Sequence, residues 1–513
     1  MSWRRSLFVD LVALILLAAL VLFLRLPALP LSVIDWDESV YLLMARGMLQ
    51  GHAPYTLLWD HKPPGLYLLF ALAQLVFGQT ILAMRLLAVI MVTATSFLLW
   101  LYGRAVLGSR VSGALAALFY ALFSLSNGGL ASNAEIMWAP FTAAAFLLLR
   151  TRTDAPLAIR PGRPFTFLAI GLLLGVAVQI KTLAGMELLA LLGLIALAPL
   201  LSRRLGQPAS AGPALLAAAL VMLGALAPTL LAVGAFARAG HLADYVSANV
   251  TANLIYARGA PPLALAAVWQ AWWAQARGAP LLWLSALAAL PLAWMARRRQ
   301  PRVAVEFAVL GLWLLGALAA ILLTGRLFPH YFLQALPPLS LLAAAAIVQA
   351  ARLESSLPRR WQTLLIGFLV VIGLTRPLVR SARQSVAELQ ALTRGTPRVE
   401  LLAGVAHYLR ERMAPEDYLY VADGQPILYY LTDAAIPTRY ILPVWLNNDL
   451  APMAGIDPPT ELERIMALQP RYVVLTEESL RDPPFMAHLQ RYLTADYTLE
   501  RTIQGIMLYR LKS

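Results

Sequence analysis

About eleven stretches of 14 to 22 mostly apolar residues recur along this 513-residue chain, and nothing else limits its fold as severely. They lie at 7–26, 81–101, 111–127, 137–150, 165–180, 184–201, 213–234, 280–296, 303–324, 331–350 and 361–378. A helix needs about 20 such residues to cross a bilayer core. With 60% of residues hydrophobic and 13% charged, against about 25% charged in an average soluble domain, the chain reads as a mainly α-helical polytopic membrane protein of about eleven spans. The 14-residue run at 137–150 is the shortest and would barely cross.

Charge orders the spans. Taking the N-terminus, with Arg4 and Arg5, as cytoplasmic, the inside connections collect Arg104 and Arg110, Arg150, Arg152, Arg160 and Arg163, Arg203 and Arg204, Arg297 to Arg299 and Arg302, then Arg352, Arg359 and Arg360. Short basic loops on one face are what the positive-inside rule expects. The alternation holds only if the apolar segment Pro64 to Gly78, which opens on Pro63-Pro64, is not a span. It is therefore expected to lie at the outer interface. An odd number of spans then leaves the tail outside.

The net charge of +14 divides into +17 for residues 1–380 and −3 for 381–513. The basic excess thus belongs to the connections of the membrane part, which disfavours a nucleic-acid footprint. The absence of cysteine excludes disulfides, thiolate nucleophiles, Cys-ligated zinc and iron–sulfur clusters. The tail has strand-sized apolar segments at Tyr418–Ala422, Arg471–Thr476 and Ile506–Leu511, with helical patterns at Val399–Met413 and Glu461–Gln469. This predicts two domains, a transmembrane domain over 1–380 and a small extracytoplasmic α/β domain over 381–513.

Residues 1–380 contain eleven carboxylates, and four of them, Asp35, Asp37, Glu38 and Asp60, crowd into the first outside loop with His52, His61 and Lys62. Charges so close to lipid are costly unless solvated, paired or used. Asp37 or Glu38 could open a helix over Ser39–Gln50, with Glu38, Tyr41 and Leu42 on one face. A carboxylate in a partly dry hollow suits a general base toward a hydroxyl or amine. Lys62, stiffened by the two prolines after it, suits an anionic phosphate.

These residues carry a resemblance. Asp37-Glu38-Ser39-Val40-Tyr41, then Ala45-Arg46, Gly51, Pro54-Tyr55 and Asp60-His61-Lys62-Pro63-Pro64, resemble the first-loop signature of the GT-C glycosyltransferases. Within these the chain is most similar to the protein O-mannosyltransferase and aminoarabinose transferase group. Arg85, the glycine-rich span Gly171–Lys181 and Arg326-Leu327-Phe328-Pro329-His330-Tyr331 extend the similarity over roughly residues 30–340. The resemblance implies transfer of a sugar from a polyprenyl-phosphate donor, at the outer face and with inversion, to a lipid, protein or glycan acceptor. It implies Asp37 as catalytic base, Glu38 as a supporting or acceptor-positioning acid, and Lys62, Arg85 and Arg326 as cations for the donor phosphate.

Tyr55, Asp60, His61, Glu135, Lys181, His330 and Tyr331 are further candidates for the cavity. Glu135 could equally be part of a helix start capped by Asn133, Lys181 a snorkelling anchor, and His330-Tyr331 part of an aromatic belt. Asp60 and His61 give a metal only two ligands, so no metal or other cofactor is expected. Trp269, Trp272 and Trp273 suit interfacial anchoring better than a sugar platform. A flippase for lipid-linked saccharides would show mid-membrane charges and repeated halves, and an inactive scaffold would not need Asp37, Glu38 and Lys62 intact. The expectation is a cell-membrane glycosyltransferase.

Overall fold

A computed structural model describes residues 2–152, 164–204, 210–260, 262–353, 367, 373–375, 377–387, 390, 400–447, 450–476 and 483–512. Its helices follow the apolar runs. They are α1 (Ser2–Arg25), α2 (Trp36–Leu49), α3 (Pro64–Phe77), α4 (Ile81–Ala105) and α5 (Arg110–Phe123). Next come α6 (Ala134–Arg152), α7 (Pro164–Ile180), α8 (Gly185–Arg204), α9 (Ala211–Arg238) and α10 (Leu242–Val246). The series continues with α11 (Ala252–Arg258), α12 (Leu265–Gly278), α13 (Pro280–Arg299), α14 (Pro301–Leu323) and α15 (Leu336–Leu353).

Among the described residues, seven segments are long and apolar enough to cross a membrane: 6–28, 81–105, 182–203, 211–238, 280–298, 301–323 and 329–352. They match seven of the eleven expected spans. α5, with 14 residues, and α7, with 17, are shorter, and α6 carries Glu135 and Arg150 near its two ends. The expected span 361–378 falls largely outside the described residues, as do Arg160, Arg163, Arg359 and Arg360. α3 is a 14-residue apolar helix with Pro64 at its first position, where proline's missing N–H costs nothing.

The chain packs as two compact units, and these do not follow a single cut near residue 380. One holds residues 1–27, 86–231 and 261–393, the other 28–85, 232–260 and 394–513. The second unit thus joins the first loop to the tail and to a segment between α9 and α12.

In the first unit α15 is the central helix: with its short lead-in turn it has 94% of its apolar window buried, against 11% for α1 at the periphery. α13 and α5 pack on it, α8 packs on α14, and α6 packs on α7. Two of the charges on α1 have polar partners. Arg25 donates to the carbonyls of Gly129, Leu130 and Ser124, and Asp10 accepts from Trp100 and pairs with Arg104. Gly171 and Gly175 explain a close crossing with α9. A Cβ on Gly171 would lie 2.1 Å from the Val221 carbonyl oxygen, and one on Gly175 would lie 2.4 Å from that of Ala225. Small residues four apart let two helix backbones touch.

In the second unit α2 packs on α3, and the tail folds around a four-stranded sheet. The strands are β1 (Leu419–Val421), β2 (Tyr472–Thr476), β3 (Tyr497–Ile503) and β4 (Ile506–Leu511), in the order β1-β2-β4-β3. β1 and β2 are parallel; β2 with β4 and β3 with β4 are antiparallel. The helices α16 (Leu401–Arg410) and α17 (Pro458–Ala467) correspond to the two helical patterns expected in the tail. β3 was not expected. Most of its positions are at least partly exposed, so it lacks the apolar signal and owes its place to pairing with β4 across the Gln504-Gly505 turn, both at positive φ.

Candidate active site

The first loop begins with a helix start that the sequence had only half specified. Asp35, rather than Asp37 or Glu38, is the N-cap of α2, and Glu38 completes a capping box by accepting from the Ile34 and Asp35 amides. The helix consequently starts at Trp36, three residues before the expected Ser39. Asp37 and Glu38 share its first turn, where backbone N–H groups favour negative charge, but they point to different environments.

Glu38 is fully buried and bound bidentately by Arg85, at 2.6 and 2.7 Å. Arg85 is 2% exposed and spends its remaining donors on the Leu31 carbonyl. Arg85, expected on a donor phosphate, holds Glu38 in this structure. Glu38, equally enclosed, holds the helix start and does not present its carboxylate to an acceptor. Two fully satisfied charges in a dry site make a rigid anchor.

Asp37 keeps 22% of its side chain exposed. One turn on, the Tyr41 hydroxyl donates to its Oδ2 at 2.9 Å, and Lys62 Nζ lies 3.4 Å from the same oxygen. Lys62 is 4% exposed, 3.5 Å from both Asp60 oxygens and 5.1 Å from the centre of the Tyr41 ring. Burial pulls the Lys62 ammonium toward neutrality, but Asp37 and Asp60 outweigh it and raise its pKa above the usual lysine value. Burial acts on Asp60 in the opposite sense and is likewise outweighed, by Lys62 and His61, so Asp60 ionises well below the usual carboxylate range. For His61, burial and the neighbouring Lys62 lower the imidazole below 6.5. At neutral pH Asp60 is thus ionised, Lys62 is an ammonium and His61 is a neutral imidazole.

The loop that carries Lys62 is fastened from several sides. Tyr55, in the left-handed region at φ 72°, donates its hydroxyl to the Lys62 carbonyl at 2.7 Å. Tyr67 donates to Asp60 Oδ2 at 2.9 Å. His61 stacks on Tyr256 and meets the edge of Trp445, while Asn253 donates to its carbonyl at 2.9 Å. The Trp59 amide donates to the Arg439 carbonyl at 2.9 Å, and the Arg439 guanidinium donates to the Tyr55 carbonyl. Just before Asn253, residues Ser247–Thr251 form a π-helical turn; such turns often mark functional sites.

Arg439 is thus one of the tail's fastening points on the loop. Replacing it by Ala removes a charged donor to a backbone carbonyl, a bond worth about 1.5–3 kcal/mol. Amide hydrogen exchange across residues 55–62 is expected to quicken about tenfold or more, with the α14 and α15 amides unchanged. Unaltered protection of the loop would show that Arg439 does not hold it.

The remaining candidates belong to the first unit. Glu135 and Lys181, both buried, pair at 2.5 Å. Lys181 Nζ lies 4.2 Å from the centre of the Tyr331 ring and 5.9 Å from that of Trp138, and His330 stands edge-on to Tyr331 at 4.7 Å. Lys181 is thus caged within the protein, where a snorkelling anchor would reach outward. Arg326 follows Gly325 in the loop after α14, its amide bonded to Thr324 Oγ1. His52 lies exposed just after α2. Trp269 and Trp273 are 68% and 49% exposed on a helix with no buried residue, as interfacial anchoring requires. Among the described residues no third His, Asp, Glu or Cys joins Asp60 and His61. With a lysine ammonium already 3.5 Å from Asp60, the pair does not fit a metal.

Tyr67, Tyr256, Asn253, Arg439 and Trp445 carry no sequence motif. Only Tyr67, three residues after the Pro63-Pro64 stop, lies close enough in the chain to have been suspected.

The structure thus combines apolar helices long enough to cross a membrane with an acid-and-lysine cluster on its first loop. A family model described as dolichyl-phosphate-mannose-protein mannosyltransferase matches residues 61–231. The undecaprenyl phosphate-alpha-4-amino-4-deoxy-L-arabinose arabinosyl transferases of two Pseudomonas aeruginosa strains, UCBPP-PA14 and PAO1, are 29% identical over 346 and 354 residues, 66% of this chain. The match spans 60% of the length of those relatives. The crystal structure of ArnT from Cupriavidus metallidurans bound to undecaprenyl phosphate shares the fold over 97% of both chains, at a TM-score of 0.58 and 16% identity. The Archaeoglobus fulgidus oligosaccharyltransferase shares it over 93% of this chain and 70% of its own, at a TM-score of 0.51 and 14% identity. The chain is thus similar to GT-C glycosyltransferases, in sequence over residues 61–231 and in fold over nearly its whole length.

Proposed function

We propose that the protein transfers a sugar from a polyprenyl-phosphate carrier to an acceptor hydroxyl or amine, with inversion at the anomeric carbon. The site would lie at the outer face of the cell membrane, with the N-terminus cytoplasmic and the tail extracytoplasmic. The reading rests above all on one distance, the 3.4 Å between Lys62 Nζ and Asp37 Oδ2. A base and a cation for phosphate, side by side at the start of a buried helix, are the two groups this reaction needs. The relatives named as acting on undecaprenyl phosphate-aminoarabinose support a lipid-linked donor.

The donor's phosphodiester anion takes the place of Asp37 beside Lys62, while Asp60 keeps the ammonium in position. Losing its cation raises the basicity of Asp37. Asp37 then accepts the acceptor's proton as the acceptor oxygen or nitrogen attacks the anomeric carbon. The bond from that carbon to the phosphate oxygen breaks, and its electron pair leaves with polyprenyl phosphate. Phosphate leaves without a proton, so no general acid is required; Lys62 meets the charge that develops. Tyr41 orients the carboxylate, and Arg85 acts through Glu38 by fixing the turn on which Asp37 sits.

Replacing Lys62 by Ala is expected to lower kcat/KM for the lipid-phosphate sugar by about 10²-fold, the scale of losing one preorganised donor to a developing anion. Measured with purified protein and a synthetic short-chain polyprenyl-phosphate sugar, unchanged kinetics would remove Lys62 from the phosphate site. Mass analysis of glycolipids and glycoproteins from a deletion strain, its parent and a strain complemented with Asp37→Asn names the sugar and the acceptor together. Identical glycan profiles in all three would reject the transferase reading.

A further inference from the structure

The bundle end where α4 to α6 and α13 to α15 carry their arginines contains a cavity of about 310 Å³. It lies wholly in the first unit and is lined at its polar side by Ser112, Arg150, Arg302, Glu306, Gln349 and Arg352. Its single acid is already neutralised: Glu306 is bound by Arg150 through Nε at 3.1 Å and through a second guanidinium nitrogen, both side chains at most 10% exposed, and Tyr102 donates to it at 3.4 Å. Gln349 is tied to Gln300 at 2.9 Å. Arg302 and Arg352 are exposed and have no acidic partner among the described residues. The cavity therefore carries two positive charges that no described acid balances. The rest of its wall is apolar, with Val106, Leu107, Val303, Phe307 and Val348.

We infer that this cavity binds the phosphodiester headgroup of an anionic phospholipid, with Arg302 and Arg352 on the phosphate and the first methylenes of an acyl chain against Val303, Phe307 and Val348. Two features point to a lipid. Basic pockets between membrane helices suit lipid phosphates, and each arginine near an anionic leaflet contributes on the scale of a several-fold change in binding. The Arg150–Glu306 pair is already bound within the lining, so what the cavity offers a ligand is the cations of Arg302 and Arg352 and the hydrocarbon of its apolar residues. A free phosphate would use only the first of these. The site is separate from the sugar-transfer chemistry and stands whether or not that reading holds.

The test uses the full-length protein in mild detergent, examined by native mass spectrometry with equal amounts of phosphatidylglycerol and phosphatidylcholine, with and without inorganic phosphate. The wild type is expected to retain phosphatidylglycerol preferentially and to keep it in the presence of phosphate. The double variant Arg302→Ala/Arg352→Ala, changed only at exposed positions, is expected to lose about tenfold in that retention. Val348→Trp, which keeps every charge but fills the apolar wall, should lower it as well. The control Arg297→Ala/Arg298→Ala removes the same charge outside the lining and should retain lipid like the wild type. Equal loss in the control, unchanged retention in both cavity variants, or displacement of the lipid by inorganic phosphate alone would each overturn the assignment.

Discussion

Asp37→Asn is expected to lower the rate of sugar transfer by about 10²- to 10⁴-fold, the range a positioned general base supplies, while leaving the protein folded and still able to bind donor. The replacement is isosteric. The Tyr41 hydroxyl, now 2.9 Å from Oδ2, can donate to the amide oxygen as it does to the carboxylate. What is lost is the capacity to take a proton, together with one of the two anions that hold Lys62. Asp60 remains 3.5 Å from Lys62, so the lysine stays charged and in place, and donor affinity should change little or improve slightly as one competitor for the ammonium disappears. The signature is a collapsed kcat with a donor KM at or below the wild-type value. Turnover within a few-fold of wild type would refute Asp37 as the base.

The second large effect is on stability. Arg85→Ala leaves the Glu38 carboxylate buried with no counter-charge and strands the Leu31 carbonyl. Removing one partner of a buried ion pair costs about 3–5 kcal/mol, and the thermal transition of the purified protein is expected to fall accordingly. Replacing both partners behaves differently, because a neutral pair of similar volume leaves no unpaired charge buried, and the carbonyl of a glutamine replacing Glu38 can still accept from the Ile34 and Asp35 amides. The double variant Glu38→Gln/Arg85→Met should therefore recover most of the transition lost in Arg85→Ala. If Arg85 instead served mainly the donor phosphate, Arg85→Ala would keep its thermal transition and lose only activity. That outcome would reverse the structural role assigned to Arg85 here.

Arg85 shows where sequence reading stops. One arginine at the head of a span, in a site expected to hold an anion, fits a phosphate ligand as well as a structural ion pair. The choice depends on which carboxylate faces it, and Glu38 turns inward because Asp35 caps the helix and sets its first turn at Trp36. Asp37 and Lys62 were different. Twenty-five residues apart, both were singled out by the scarcity of charge around them, and they lie 3.4 Å apart in the folded chain. The fastening of their loop was invisible, since Asn253 and Arg439 are about 190 and 380 residues from the groups they hold and belong to no periodic pattern.

The seven long apolar helices, the 14-residue helix after Pro63-Pro64, and three of the four strands of the tail were readable from residue order alone. Each depends on a local rule: about 20 apolar residues to cross lipid, proline at a helix start, short apolar runs in a sheet. Only the tertiary structure decided that the first loop packs in one unit with residues 232–260 and the tail, that Arg85 is spent on Glu38, and that Lys181 is held by Glu135 instead of reaching for the membrane surface. The physical reason is common to all three. A buried charge takes whichever opposite charge the fold brings within about 3 Å, and that distance is set by packing between segments far apart in the chain.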